Sequence, residues 1–210
     1  MTVQEEYFQK LSLVLKDKFS KKGFAFDSFA NKEDAKKFIL SLIKENDTIT
    51  FGGSTSVNQM GILEDLKNNK NFIDRNNKDL KSEAEIKAFT SDVYLCSANA
   101  ITKNGDIVST DGGGNRVAAT IYGPKKVFLI VGRNKVCNTV EDAVKRVRSI
   151  AAGENSVRFK VDNPCCTGDM ICDEEKCDIE KRLCAYTIIV NKCHIKERIH
   201  IIFIDEELGF

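Results

Sequence analysis

Asp47-Thr48-Ile49-Thr50-Phe51 runs without a break into Gly52-Gly53-Ser54-Thr55-Ser56. The first five residues read as a buried strand. The next five read as a turn opening a helix with Met60, Leu63 and Leu66 on one face. A strand that ends in small and hydroxylated residues before a helix has a physical use. Glycines let backbone N–H groups approach a ligand, the helix N-terminus favours an anion, and the hydroxyls add donors. Ligands of open α/β sheets gather at such carboxyl strand ends. The same residues also suit a plain tight turn with Ser or Thr as N-cap, and both readings stand at this point. The turn is not a Walker P-loop, since no Gly-Lys-Ser/Thr follows. It is not a Gly-x-Gly-x-x-Gly dinucleotide fingerprint either.

The pattern continues on both sides. Upstream, Tyr7, Phe8, Leu11, Val14, Leu15 and Phe19 recur at helical spacing over residues 3–22, and Gly23 is a natural C-cap. Phe24 to Phe29 reads as a short strand or extended piece, and Asn31 can cap a helix running to about Glu45. Downstream, Asn71 to Asp74 reads as a short strand, residues 79–89 as a helix and Asp92 to Cys96 as a strand. Asn99–Thr102 and Ile107–Ser109 flank Lys103-Asn104-Gly105-Asp106, a hairpin signal because Asn-Gly accepts positive φ. Gly112-Gly113-Gly114 is a loop, followed by a short helix over residues 115–122. The unbroken apolar run Val127 to Val131 predicts a central parallel strand. Thr139 with Asp142 resembles a capping box, opening a helix to about Ala152. Residues 187–190 and 199–204 predict two closing strands. Alternating strands and helices imply an α/β fold whose parallel sheet is covered on both faces. No repeat or linker divides the chain, which reads as one domain over residues 1–210.

The chain has 210 residues, 42% hydrophobic and 30% charged, with a formal net charge of +1. A near-neutral balance provides no field to steer nucleic acid or an anionic membrane, so neither is an expected partner. No apolar run approaches the roughly 20 residues of a membrane span. The start, Met-Thr-Val-Gln-Glu-Glu-Tyr-Phe, lacks the pattern of a secretory signal, and a cytoplasmic location is expected. Thiols stay reduced there, so the eight cysteines call for metal binding or redox chemistry rather than disulfides. The first helix, amphipathic and terminal, suits either a second copy in a homo-oligomer or the sheet itself.

The block from Ser97-Ala-Asn-Ala-Ile-Thr-Lys-Asn-Gly-Asp-Ile-Val-Ser-Thr-Asp-Gly-Gly-Gly-Asn-Arg-Val-Ala-Ala-Thr to Val127, with Val131-Gly-Arg-Asn-Lys135, closely resembles the lactate-utilization (LUD) domain family. Phe51 to Ser56 and Glu207-Leu-Gly-Phe210 fit the same family, so the resemblance covers nearly the whole chain. It implies a Rossmann-like parallel-sheet fold of the ribose-phosphate isomerase and CoA transferase type. It also implies a component of lactate (2-hydroxy acid) oxidation that binds a small anionic ligand and works beside iron–sulfur redox partner proteins. In enzymes of that fold a Gly/Ser/Thr loop holds a phosphate or similar group, and Gly52, Gly53, Ser54, Thr55 and Ser56 match it. The other reading is an enzyme acting on a sugar phosphate or CoA ester. Related isomerases carry an acid where this chain has Asn99, and an amide cannot take a proton from carbon at neutral pH. Asp106 and Asp111 are nearby carboxylates that also suit turns. Asn99, Asn104, Asp111, Arg116, Arg133 and Lys135 are candidate ligand contacts, with solvated loop groups as the alternative. Whether the chain is itself an enzyme stays open.

Residues 162–193 form a cysteine-rich segment. Cys165, Cys166, Cys172, Cys177 and Cys184 lie among Asn-Pro, Thr-Gly and acidic residues, and Cys193-His194 closes it. A thiolate-held centre wants about four cysteines on flexible polar turns, which this stretch supplies. Some LUD proteins carry a comparable run. Here Thr167-Gly168 sits one residue closer to the first Pro-Cys, and a Cys-x-x-Cys pair is opened to Cys172-x-x-x-x-Cys177. Either Cys165 or Cys166 could be the first ligand. An iron–sulfur cluster is the leading reading, because the related pathway is electron transfer. Zinc, in a structural or regulatory protein, is the alternative, and free thiols or a redox disulfide the third. Cys96 and Cys137 stand apart, Cys96 as a small core residue.

Overall fold

A computed structural model describes residues 1–210. Helix α1 (Val3–Lys21) is opened by a capping box between Thr2 and Glu5 and leads to β1 (Ala25–Phe29). Asn31 caps α2 (Lys32–Leu42), and β2 (Ile49–Phe51) precedes the short helices α3 (Thr55–Met60) and α4 (Ile62–Leu66). Then come α5 (Lys81–Lys87), β3 (Val93–Cys96), β4 (Ala100–Thr102), β5 (Ile107–Asp111) and α6 (Asn115–Ile121). The chain continues through β6 (Lys126–Gly132), β7 (Val136–Cys137), α7 (Val140–Arg146) and α8 (Ala152–Phe159) to β8 (Tyr186–Val190) and β9 (Ile199–Ile204).

The main sheet is five-stranded and parallel throughout, in the order β1-β9-β6-β3-β2. Strand β6 is at its centre, as its apolar run predicts, and all of Val127–Val131 is buried. The pleat divides that strand between two cores. Val127, Leu129 and Val131 join Phe8, Leu15 and Phe19 of α1, while Phe128 and Ile130 join Ile39, Val57, Met60 and Leu63 on the other face. Helix α1 therefore covers the sheet, with Phe8 stacked on Phe203 at 4.8 Å. Its outer side leaves Tyr7, Leu13 and Val14 exposed.

A second sheet, ordered β7-β4-β5-β8, leans on α7 through Ala100, Val108, Ala143 and Val147. The predicted hairpin pairs Ala100 with Val108 and Ile101 with Ile107, and Gly105 takes φ of 80° in its turn. The two closing strands separate: β9 enters the parallel sheet between β1 and β6, whereas β8 runs antiparallel along β5.

Two local expectations change. Residues 71–74 make one bridge, Ile49 to Phe72, instead of a strand. Asn69, Asp74 and Asn77 side chains accept the N–H groups of Asn71, Asn76 and Asp79, so the backbone turns at both ends of the stretch. The helix that begins with the Thr139 capping box passes Ala152 and runs to Phe159 through a π-turn at Val147–Ala151.

Candidate functional site

Beyond the carboxyl ends of β2, β3 and β5 lies a cavity of about 650 Å³. Its lining includes Gly53, Ser54, Thr55 and Ser56 with Ser97, Asn99, Asp111, Arg116 and Lys135. All of these except Ser97 are candidate ligand contacts in the sequence reading. Arg75, Lys81, Arg158 and Arg182 also face it, as do Glu85 and Glu180. With Arg116 and Asp111 that makes five cationic side chains, Lys135 left aside, against three acidic ones, so the cavity carries a positive excess.

Each hydroxyl of the Gly-Gly-Ser-Thr-Ser turn has its own partner. Ser54 is the N-cap of α3, accepting from the Val57 N–H at 3.3 Å. Thr55 Oγ1 accepts from Arg158 at 3.0 Å. Ser56, fully buried, accepts from the Lys135 amine at 2.9 Å. The glycines serve close packing. A Cβ at Gly52 would stand 2.5 Å from the Tyr94 hydroxyl, and one at Gly53 would stand 3.0 Å from Arg75 Nη1. Gly52 therefore backs the site without lining it.

Lys135 lies at the cavity floor with 3% exposure. Its amine donates to Ser56 Oγ, to Ser97 Oγ at 3.0 Å and to the Ala98 carbonyl at 3.2 Å. All three partners are neutral. Burial, then the nearby Arg146 and Arg116, push the amine well below the usual lysine range, and Glu154 offsets this only in part.

Arg116 organises the wall. It donates to the carbonyls of Ser97 and Thr110 at 2.5 Å and to Asn99 Oδ1 at 3.1 Å. Asn99 Oδ1 also accepts from the Thr110 N–H at 2.8 Å, so the amide is an architectural link. Asp111 caps α6, accepting from the Gly114 and Val117 N–H groups. Arg158 lies over the rings of Phe159 and Phe210, which close one side.

Three anticipated residues fall outside. Asn104 is exposed at the hairpin turn, next to the α1 contact of Gly105 with Lys18. Asp106, in the same turn, is tied to Lys22 at 2.6 Å and to Asn191 at 3.0 Å. Burial would raise its carboxyl, but these bonds and Thr102 hold it below the usual carboxylate range. Arg133 pairs with Asp205 at 3.2 Å away from the cavity. Sequence reasoning missed Arg75 and Arg158. Arg158 belongs to the helix extension beyond the π-turn, and Arg75 follows the stretch that reads as a strand.

A second, smaller cavity holds the cysteines. Cys165, Cys172, Cys177 and Cys184 line it together with Asn163, Asp173, Glu174 and Arg182. Cys166 turns away, its thiol donating to the carbonyls of Val161 and Asn163 at 3.3 Å. Burial pushes the Cys172 and Cys177 thiols up, and the neighbouring Cys184 adds to this in both. No group of three or more His, Cys, Asp or Glu side chains is arranged to hold a metal ion as it stands. Cys96 is fully buried in the core and its thiol is pushed up to about 11 by burial. Cys193 is buried against Gly23, and His194 is exposed. No helix is long and apolar enough to cross a membrane.

The cysteine segment packs closely at two glycines, Gly112 on the wall of the large cavity and Gly153 in α8. A Cβ at Gly112 would stand 2.9 Å from the Arg182 carbonyl oxygen, and one at Gly153 would stand 2.6 Å from that of Cys165. Arg182 and Leu183 consequently line both cavities.

A parallel β1-β9-β6-β3-β2 sheet with helices on both faces and a cavity at its carboxyl edge defines a Rossmann-like α/β protein. The model of the LUD domain matches residues 14–204, and the chain belongs to that family. The fold is shared with a DUF162 family protein from Deinococcus radiodurans, at TM-score 0.57 and 11% identity over 93% of this chain and 97% of that one. A ribose 5-phosphate isomerase from Plasmodium falciparum aligns at TM-score 0.34 and 16% identity over 59% of this chain and 66% of that one. No curated protein matches the sequence.

Proposed function

We propose that this LUD-domain protein is a component of lactate (2-hydroxy acid) oxidation. It binds a small carboxylate or similar anion in the large cavity and carries an iron–sulfur centre at the cysteine cavity. The observation that carries this reading is the common wall: Arg182 and Leu183 line both cavities, so a redox centre and an anionic ligand would be neighbours.

The chain's residues suit each role. Arg158, Arg75 and the Thr55 hydroxyl offer donors to an anion, and the excess of cationic side chains favours one. Cys165, Cys172, Cys177 and Cys184 supply four thiolates, the donor set of a cluster, from flexible polar turns. Arg182 and Arg148 both pair with Glu174 beside them, at 3.1 and 2.7 Å, and partly offset thiolate charge. When bound, a cluster would accept and pass on single electrons, with an iron–sulfur partner protein as the next carrier.

The isomerase-like reading finds no support in these residues. Asn99 cannot act as a base, and both oxygens of Asp111 are taken by backbone N–H groups of α6.

Purification without air, followed by iron, sulfide and zinc assays, tests the centre. Matching iron and sulfide with a broad thiolate-to-iron band is the expected result. Zinc alone would make the segment a structural site, and neither metal after reconstitution would sink the cluster. Thermal shifts with L-lactate, pyruvate and inorganic phosphate test the anion site: stabilisation should rise with ligand concentration in the wild type and weaken in Arg158→Ala.

A further inference from the structure

We propose that Lys135 is a carbonyl-reactive lysine, whose amine condenses with the ketone or aldehyde carbon of an anionic ligand bound in the large cavity. A 2-oxo acid, the oxidised form of a 2-hydroxy acid, has both groups. The inference rests on the anion-binding reading above and adds a covalent step to it.

Geometry separates this lysine from one that serves as a counter-charge. Lys135 is buried at the floor of a cavity, yet it bonds only to two serine hydroxyls and one carbonyl. Arg146 anchors the neighbouring loops by donating to the carbonyls of Asn99 and Asn134, so a second cation stands nearby. A buried amine beside other cations, without a carboxylate partner, is held toward its neutral form, and the neutral amine is the nucleophile. No carboxylate makes a hydrogen bond with the amine, and Glu154 offsets the nearby cations only in part.

The surroundings also match the step. Ser56 Oγ and Ser97 Oγ flank the amine and stand 3.3 Å from each other. They are therefore placed to pass a proton between nitrogen and oxygen. The nitrogen lone pair attacks the carbonyl carbon, and the C=O π pair moves to oxygen. A proton moves from nitrogen to that oxygen through a serine hydroxyl, giving a carbinolamine. The nitrogen lone pair then forms the C=N bond as the C–O bond breaks, and the hydroxide leaves as water with the remaining nitrogen proton. No electrons are gained or lost, and water reverses the sequence. Arg158 and Arg75 line the same cavity and face the ligand's carboxylate, Arg158 while bonded to Thr55 and Asn155 and Arg75 while paired with Glu85 at 2.8 Å.

The test treats full-length protein, with its metal content as purified, with pyruvate and cyanoborohydride, followed by peptide mass analysis. One reduced pyruvate adduct per chain, on the peptide carrying Lys135, is expected. It should vanish in Lys135→Met and in Lys135→Arg, the latter keeping a hydrogen-bond donor but no nucleophilic amine. Circular dichroism establishes that both variants are folded. Pyruvate binding is measured separately by calorimetry on the wild type. Binding without an adduct, or labelling spread over surface lysines and equal in the variants, would overturn the imine step and leave the anion site standing. Failure of pyruvate, lactate and phosphate all to bind would overturn the anion site, and the imine step with it.

Discussion

At the scale of single residues, Lys135 is held where it costs stability. Its amine is pushed below its unfolded value, so between the folded and unfolded values the unfolded chain binds more protons. Stability contributed at this position is thus lost as pH falls through the folded value. Near neutral pH, Lys135→Met should raise Tm, because the variant no longer buries an amine whose protonation burial disfavours. The two serines keep partners in the Leu208 and Ala98 carbonyls. A calorimetric scan showing a lower Tm would mean that the three hydrogen bonds outweigh desolvation. Asp111 carries the opposite expectation. Asp111→Ala removes the acceptor for two α6 N–H groups and should destabilise by about 1–2 kcal/mol, read by urea denaturation. Residue types at these positions were legible in the sequence, but their roles were not. Asn99 and Arg116 read as ligand contacts; both line the cavity, and their hydrogen bonds also fix its wall, which the sequence does not show.

At the scale of elements, two glycines govern how the cysteine segment docks. Gly153 lies in helix α8, where Ala ordinarily adds about 0.5–1 kcal/mol. Here the added Cβ would stand 2.6 Å from the Cys165 carbonyl oxygen, so the sign should reverse. Gly153→Ala is expected to lower Tm and to open residues 162–185 to limited proteolysis, and a Tm increase would contradict it. Gly112→Ala acts at the other contact, against Arg182 and Leu183, and should weaken pyruvate-dependent stabilisation as well. Four of the five parallel strands were readable because buried runs such as Val127–Val131 are continuous, whereas β1 is only partly buried. The sheet in which β8 pairs was not, since apolar strands alike in composition differ only in their partners. The α8 extension was hidden for another reason: a π-turn shifts the helical period, so the spacing no longer matches beyond it.

At the scale of the whole molecule, the parallel sheet has a pH-sensitive edge. His200 of β9 is buried beside Phe38 and Phe128, with Nε2 at 2.8 Å from Asp27 Oδ2 on β1. Burial lowers its pKa from the ordinary 6.5, and the Asp27 bond opposes this only partly. The folded value being the lower one, stability is fully present above about pH 6.5 and is lost as pH falls through the folded value. Tm should therefore decline on acidification from neutral, and His200→Phe should flatten that slope in a pH series of melts. The same strand pair bears on how the protein is made. Asp27 and His200 are 173 positions apart, and β9 is the strand that joins β1 to β6. On the ribosome, β1 emerges early with no neighbour to pair with. Until β9 follows, the nascent chain holds an unclosed sheet with an apolar slot one strand wide. Chaperone demand should consequently persist until residues 199–204 have emerged and paired.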